Sequence, residues 1–208
     1  MQINIGNDNY EVEIIKKNNR NTYIRVKNGK IIVTTNYLTS KESIKKLISD
    51  NIDSIIKMID TDIKKQDKKE NFYYFGKQYD LIYGFSEIQF DGDKVYAPNK
   101  KELDKYLSKE IRRIFEDRLN YWYNIFEEKI PAPNLKIRKM TSRWGVCNTK
   151  SHNVTLNSEL AKYDITCLDY VCVHELSHFI YPNHQEGFWN LVGKYYPNYK
   201  KARKMLKE

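Results

Sequence analysis

Along the first hundred residues, apolar and polar positions mostly alternate with a period of two, the mark of half-buried strands. The alternation predicts a hairpin from residues 2–5 and 10–15 around the turn Gly6-Asn7-Asp8-Asn9. A second hairpin joins 22–26 to 31–35 at Asn28-Gly29, a dipeptide suited to positive φ. Residues 72–75 and 79–83 about Gly76, and 88–90 with 95–96 about Asp91-Gly92, predict two more.

Two stretches change to a period near 3.6. Thr39-Ser40-Lys41-Glu42 has the spacing of a capping box and opens one helix with Ile44, Leu47, Ile48, Ile52, Ile55, Ile56 and Ile59 on a single face. The lysine-rich stretch 64–70 reads as its exposed end or a linker. Residues 99–128 predict a long helix with Leu103, Tyr106, Leu107, Ile111, Ile114, Phe115, Trp122, Ile125 and Phe126 facing inward, closed by Pro131. After it, 135–138, 143–147 and 153–157 read as strands of a small antiparallel sheet. No internal repeat is evident. The chain is therefore expected to be α+β, with an N-terminal β-rich lobe carrying one amphipathic helix (1–97) and a second lobe (98–208) in which a helix lies against a small sheet.

The last helical stretch carries the chemistry. Asp164 suits a helix N-cap, and apolar residues at 168, 171, 172, 176, 179 and 180 imply a largely buried helix that Pro182 stops. Within it lies His174-Glu175-Leu176-Ser177-His178. Histidines four apart share one helical face, and three of the chain's four histidines fall within eleven residues. The Pro182-Asn183 turn can swing His184 back, ahead of a second helix bearing Phe188, Trp189, Val192, Tyr195 and Tyr196. His-Glu-x-x-His on a helix is the spacing of zinc proteases. His174 and His178 are the expected zinc ligands, with His184 as the third and Glu186 as its competitor. A cysteine ligand at Cys147 is the weaker reading, and His152 reads as a turn residue. Three protein ligands and an open fourth position mark catalytic rather than structural zinc. Glu175 would then serve as general base toward a zinc-activated water. Arg143, Tyr181, Tyr195 and Tyr196 are candidate contacts to the oxyanion or the substrate, and the residues alone do not choose among them.

Composition narrows the partners. No run of about eighteen apolar residues exists, so no membrane span is expected. Three cysteines without a Cys-x-x-Cys pair suit reduced thiols, which points to a cytoplasmic protein. The net charge of +9 raises the question of nucleic acid, but the excess is mostly lysine and spread over both halves. A solvated surface explains it better than a nucleic-acid face.

Arg143-Trp144-Gly145-x-Cys147, the strand ending Leu156-Asn157, and Asp169-Tyr170-Val171-x-Val173-His174-Glu175-Leu176-Ser177-His178 with His184 and Phe188-Trp189 together resemble the YgjP-like metal-dependent hydrolases. That family is related to SprT-type and WLM-type zinc metallopeptidases. The resemblance spans about residues 12–206. It implies a zincin-like catalytic lobe, zinc on His174, His178 and His184, Glu175 as base, and a peptide or protein substrate. Many relatives carry serine at the position of Val146 and histidine at that of Tyr181; neither touches the expected ligands. The alternative function is a DNA- or protein-associated binding module with structural zinc and latent or absent peptidase activity.

Overall fold

The computed structural model describes residues 1–5 and 8–207, and within them the side chains other than those at 65 and 68–70. They divide into two compact units, Met1–Glu70 and Asn71–Lys207. The boundary expected after residue 97 falls inside the second unit.

In the first unit, β1 (Gln2–Ile5), β2 (Asp8–Lys16), β3 (Tyr23–Lys27) and β4 (Lys30–Thr35) form one sheet in the order β1-β2-β4-β3. Asn28 and Gly29 both have positive φ, 52° and 72°, which matches the twist of the β3–β4 hairpin. The expected turn at Gly6-Asn7 lies outside the described residues. Instead of one helix there are two, α1 (Lys41–Asp50) and α2 (Ile52–Glu70). The break is at Asn51, whose Nδ2 donates to the Leu47 carbonyl at 2.8 Å while its backbone N–H bonds to Ile48. An asparagine offering local hydrogen bonds competes with helix continuation. The cap is Ser40 rather than Thr39, and its hydroxyl accepts from the Ser43 amide at 3.1 Å. Ile44, Ile48, Ile55 and Ile59 are buried with Val12, Ile31 and Val33, but Ile56 is exposed. The lysine-rich stretch is helical, since α2 runs to Glu70.

In the second unit, β5 (Phe72–Tyr74), β6 (Lys77–Tyr83), β7 (Gln89–Asp91) and β8 (Lys94–Ala97) form a sheet in the order β5-β6-β8-β7. Its connectivity repeats that of the first sheet. In each, two hairpins join through a parallel ladder, β2 with β4 and β6 with β8, and a helix follows. The residues show no such repeat, because this topology asks only for alternating burial. Ile31 and Val33 supply it in β4, and Val95 and Ala97 in β8. The helix after the second copy is α3 (Lys100–Ile125), capped by Asn99, whose Oδ1 accepts from the Glu102 amide at 3.0 Å. Tyr106 and Ile125, expected inside, are partly exposed, and Leu119 is buried in their stead.

The third sheet holds β9 (Asn134–Arg138), β10 (Gly145–Asn148) and β11 (Asn153–Asn157), in the order β10-β11-β9. It is mixed rather than wholly antiparallel, because β11 lies parallel to β9. The β10–β11 hairpin docks by its second strand, and residues 139–144 carry the chain across to the edge. A 3-10 helix (Ser158–Lys162) then leads into α4 (Ile165–Ser177), α5 (Glu186–Tyr195) and α6 (Tyr199–Met205). The architecture is α+β. Every residue of α4 from Cys167 to Val173 is buried, in a core with Phe115, Leu119, Leu156 and Phe188.

Burying α4 also buries Asp169, which is 7 % exposed. Its Oδ1 accepts from Arg118 Nε at 2.6 Å and Trp122 Nε1 at 2.9 Å, both on α3. These bonds fix α4 against α3 and satisfy the carboxyl oxygen inside. Asp169→Ala leaves Arg118 and the indole N–H unserved. Because Arg118 is partly exposed, the cost should be about 2–3 kcal/mol, below that of a fully buried pair. Urea denaturation of the two proteins checks it.

Candidate active site

The site is built on the end of α4. Asp164 caps the helix, its Oδ1 accepting from the Thr166 amide at 2.9 Å. The β5–β6 turn comes close at this point. A Cβ on Gly76 would stand 2.9 Å from Asp164 Cα, and Gly76 has φ +84°, so only glycine suits the position. The helix closes through Ser177, with His178 as C-cap and tightened bonds from Phe179 to Leu176 and Ile180 to Ser177. It therefore ends before Pro182, yet His174 and His178 still stand one turn apart.

The three histidines meet. Ring centroids lie 5.0 Å apart for His174 and His178, 4.9 Å for His174 and His184, and 4.8 Å for His178 and His184. One nitrogen from each falls within 4.8 Å of the other two, a set that could hold a metal ion. His174 Nε2 faces His184 Nε2 at 3.0 Å. The Nδ1 atoms turn outward, that of His178 to the Tyr181 carbonyl at 3.0 Å and that of His174 to the Tyr170 hydroxyl at 3.4 Å. Phe188 is fully buried and its ring lies 4.7–4.9 Å from all three imidazoles. Neither Glu186, on the first turn of α5, nor Cys147 joins the cluster among the described residues.

Burial sets the charge states. His174 is driven down to about 3, first by desolvation and then by the neighbouring His178 and His184. His178 is lowered for the same leading reason. Both rings are neutral near pH 7, with lone pairs available. Glu175 goes the other way, up to about 8, because desolvation outweighs the Cys147 amide and the Arg143 charge that favour its anion. Strand β10 covers it closely: a Cβ on Gly145 would stand 2.6 Å from Glu175 Cγ and 2.7 Å from Cδ.

The histidines and Glu175 open into a cleft of about 630 Å³ that Arg143, Gly145, Val146, Cys147 and Tyr170 also line. Of the four candidate contacts, Arg143 is in the cleft. Its loop is tied down by buried Asn157, whose Nδ2 donates to the carbonyls of Met140 and Arg143 at 2.9 and 2.8 Å. Tyr181 contributes its carbonyl, while its ring packs over Gly187. Tyr195 donates to Glu128 and accepts from the Glu127 amide, and Tyr196 donates to the Thr166 carbonyl. Neither of the last two lines the cleft. Tyr170 and Gly145 were not singled out for these roles by sequence reasoning. The signal for Tyr170 was its position one turn before His174.

The family model described as YgjP-like, metallopeptidase domain, matches residues 20–208. The chain belongs to the YgjP-like metallopeptidase family. Membership implies a divalent metal and a peptide or protein substrate. Among solved structures, the chain is similar to the metallopeptidase zymogen abylysin of Pyrococcus abyssi, at 25 % identity over 45 % of this chain and 93 % of that one, with a TM-score of 0.40. It is also similar to the zymogen jannalysin of Methanocaldococcus jannaschii, at 24 % identity over 46 % and 92 %, with a TM-score of 0.36. No curated protein matches. No helix among the described residues is long and apolar enough to cross a membrane.

Two outcomes follow from the surroundings of Glu175. In metal-free protein the folded state holds its proton to about 8, whereas the ordinary carboxyl releases it near 4.5. The folded state binds more protons across that window, so the group's contribution to stability is full below it and is lost as pH rises through it. Chelator-treated Glu175→Gln should thus gain on wild type progressively from about pH 5 to about pH 8, read as denaturant midpoints. A difference constant with pH would refute it. Gly145→Ala should displace the carboxylate by several tenths of an ångström or more and lower kcat on a peptide substrate about 100-fold, with the fold retained by circular dichroism.

Proposed function

We propose that the protein is a zinc-dependent peptidase in which His174, His178 and His184 hold the metal and Glu175 is the general base. The reading is carried by one observation, the convergence of three imidazoles beside a buried carboxylate in a single cleft. The donor set fits zinc, since three imidazole ring nitrogens suit it while calcium and magnesium take oxygen ligands. Zinc held there would polarise a peptide carbonyl and lower the pKa of a water molecule.

The chain's own residues supply the rest. Glu175 would accept the water's proton and pass it to the departing amine nitrogen. Its poor solvation makes it a stronger base than an exposed carboxylate, and the Cys147 amide helps to orient it. Strand β10 lines the cleft and is an edge strand, so an extended substrate could pair along it. Arg143 offers a cation for the developing oxyanion or for a substrate carboxylate. No fourth His, Cys, Asp or Glu completes the cluster among the described residues, which favours an open catalytic position over a closed structural one.

The test separates metal binding from chemistry. Glu175→Gln should retain about one zinc per chain and lose about 10²–10⁴-fold in kcat. His184→Ala should lower zinc content measured by elemental analysis of protein purified without chelators. Equal hydrolysis by wild type and Glu175→Gln would remove the mechanism.

A further inference from the structure

One buried hydroxyl at the site has no assigned task. Tyr170 lies one helical turn before His174 on α4, is 6 % exposed, and shows its edge to the cleft. Its Oη is 3.4 Å from His174 Nδ1, and its ring meets the imidazole edge-on, centroids 5.7 Å apart. On the other side of that imidazole, Nε2 faces His184 Nε2 at 3.0 Å.

A neutral imidazole carries one hydrogen, and the nitrogen that carries it cannot also coordinate a metal. His178 meets this requirement through the Tyr181 carbonyl, which can only accept and so draws the hydrogen to Nδ1. His174 needs an acceptor in the same place, and the group found there is the Tyr170 hydroxyl. Phenylalanine would fill the space occupied by the ring. A hydroxyl brought into the same buried position is costly without a partner, and the histidine is the partner it has. The spacing of four residues on one rigid helix sets the separation without help from any loop.

We propose that Tyr170 is a positioning residue for His174, its hydroxyl accepting the Nδ1 hydrogen and so holding the ring in the tautomer and orientation that leave Nε2 free for the metal. This role rests on the zinc site proposed above. The ring belongs to the core with or without its hydroxyl, so the hydroxyl's effect falls on metal affinity through the ligand it holds.

The test uses full-length wild type and Tyr170→Phe. Zinc affinity is measured by competition with a chromogenic chelator, thermal midpoints on metal-free protein, and the His174 tautomer from ring-nitrogen NMR shifts. The zinc Kd should rise about 10–100-fold in the variant, with the metal-free midpoint unchanged. Metal-free wild type should show His174 as the Nδ1–H form, and the variant should lose that preference. An unchanged Kd in the variant overturns the role while leaving the zinc site standing. An Nε2–H form in wild type also overturns it, and that spectrum decides the matter even where the variant does not fold. Wild type that takes up no zinc would overturn the zinc reading itself, and the positioning role with it.

Discussion

A helix packed on every side brings each of its polar groups into a poorly polarisable interior, where each must find a partner or lose its charge. Helix α4 shows both solutions. Asp169 is served by Arg118 and Trp122, and Ser177 is satisfied by donating to the Val173 carbonyl at 2.7 Å. Glu175 and His174 lack such full support and shift instead, the acid upward and the base downward. Desolvation has opposite signs for the two chemistries, and in the metal-free protein it favours the neutral form of both near pH 7. A divalent cation beside Glu175 would favour its anion, the form a general base needs. The result is a cluster of free imidazole lone pairs beside a carboxyl poised within reach of neutral pH. The environment that makes the helix a core element also prepares its last turn for chemistry.

That environment depends on close backbone approach as much as on side chains. Gly145 lets an edge strand lie directly on Glu175, and Gly76 lets a hairpin turn lie on the cap of the same helix. Buried Asn157 acts in the same direction. It holds the 140–143 loop by three hydrogen bonds and so fixes where β10 begins. None of these groups is a candidate for the reaction itself. They set the distance between the strand and the carboxylate, which decides how well the side chain is aimed and how little water reaches it.

The parts of this protein legible in its sequence are those governed by local rules. The Asn28-Gly29 hairpin, the Asn99 and Asp164 caps and the His174–His178 pair each follow from a few adjacent residues. The missing pieces involve partners distant in the chain. The parallel ladders depend on which strand of a hairpin docks, and periodicity is the same either way. The repeated four-strand arrangement leaves no sequence echo because Ile31 and Val95 need only be apolar. The helix break at Asn51 lies within an unbroken apolar stripe, which gives no warning of it. Tyr195 and Tyr196 looked available near the histidines, but their hydroxyls are drawn to Glu128 and Thr166. Proximity in sequence says little about which way a side chain turns once its helix has a buried face.

The third histidine illustrates the same point within the site. His184 is exposed, lies outside regular structure, and owes its place to the helix that follows it. Because α5 begins at Glu186, its first turn delivers Phe188 beneath all three imidazoles and Trp189 against His184, stacked at 5.7 Å with the planes 28° apart. Trp189 is in turn backed by Tyr199, stacked at 5.3 Å, and by the Arg203 guanidinium, 4.8 Å from its ring. Two histidines are therefore held by the backbone of their own helix and the third by an aromatic stack from its neighbours. Such a stack resists sliding less than a helix turn does, since ring contacts are less directional than a hydrogen-bond ladder. The cluster thus combines two histidines set by one helix with a third set by the aromatic residues of the helices that follow.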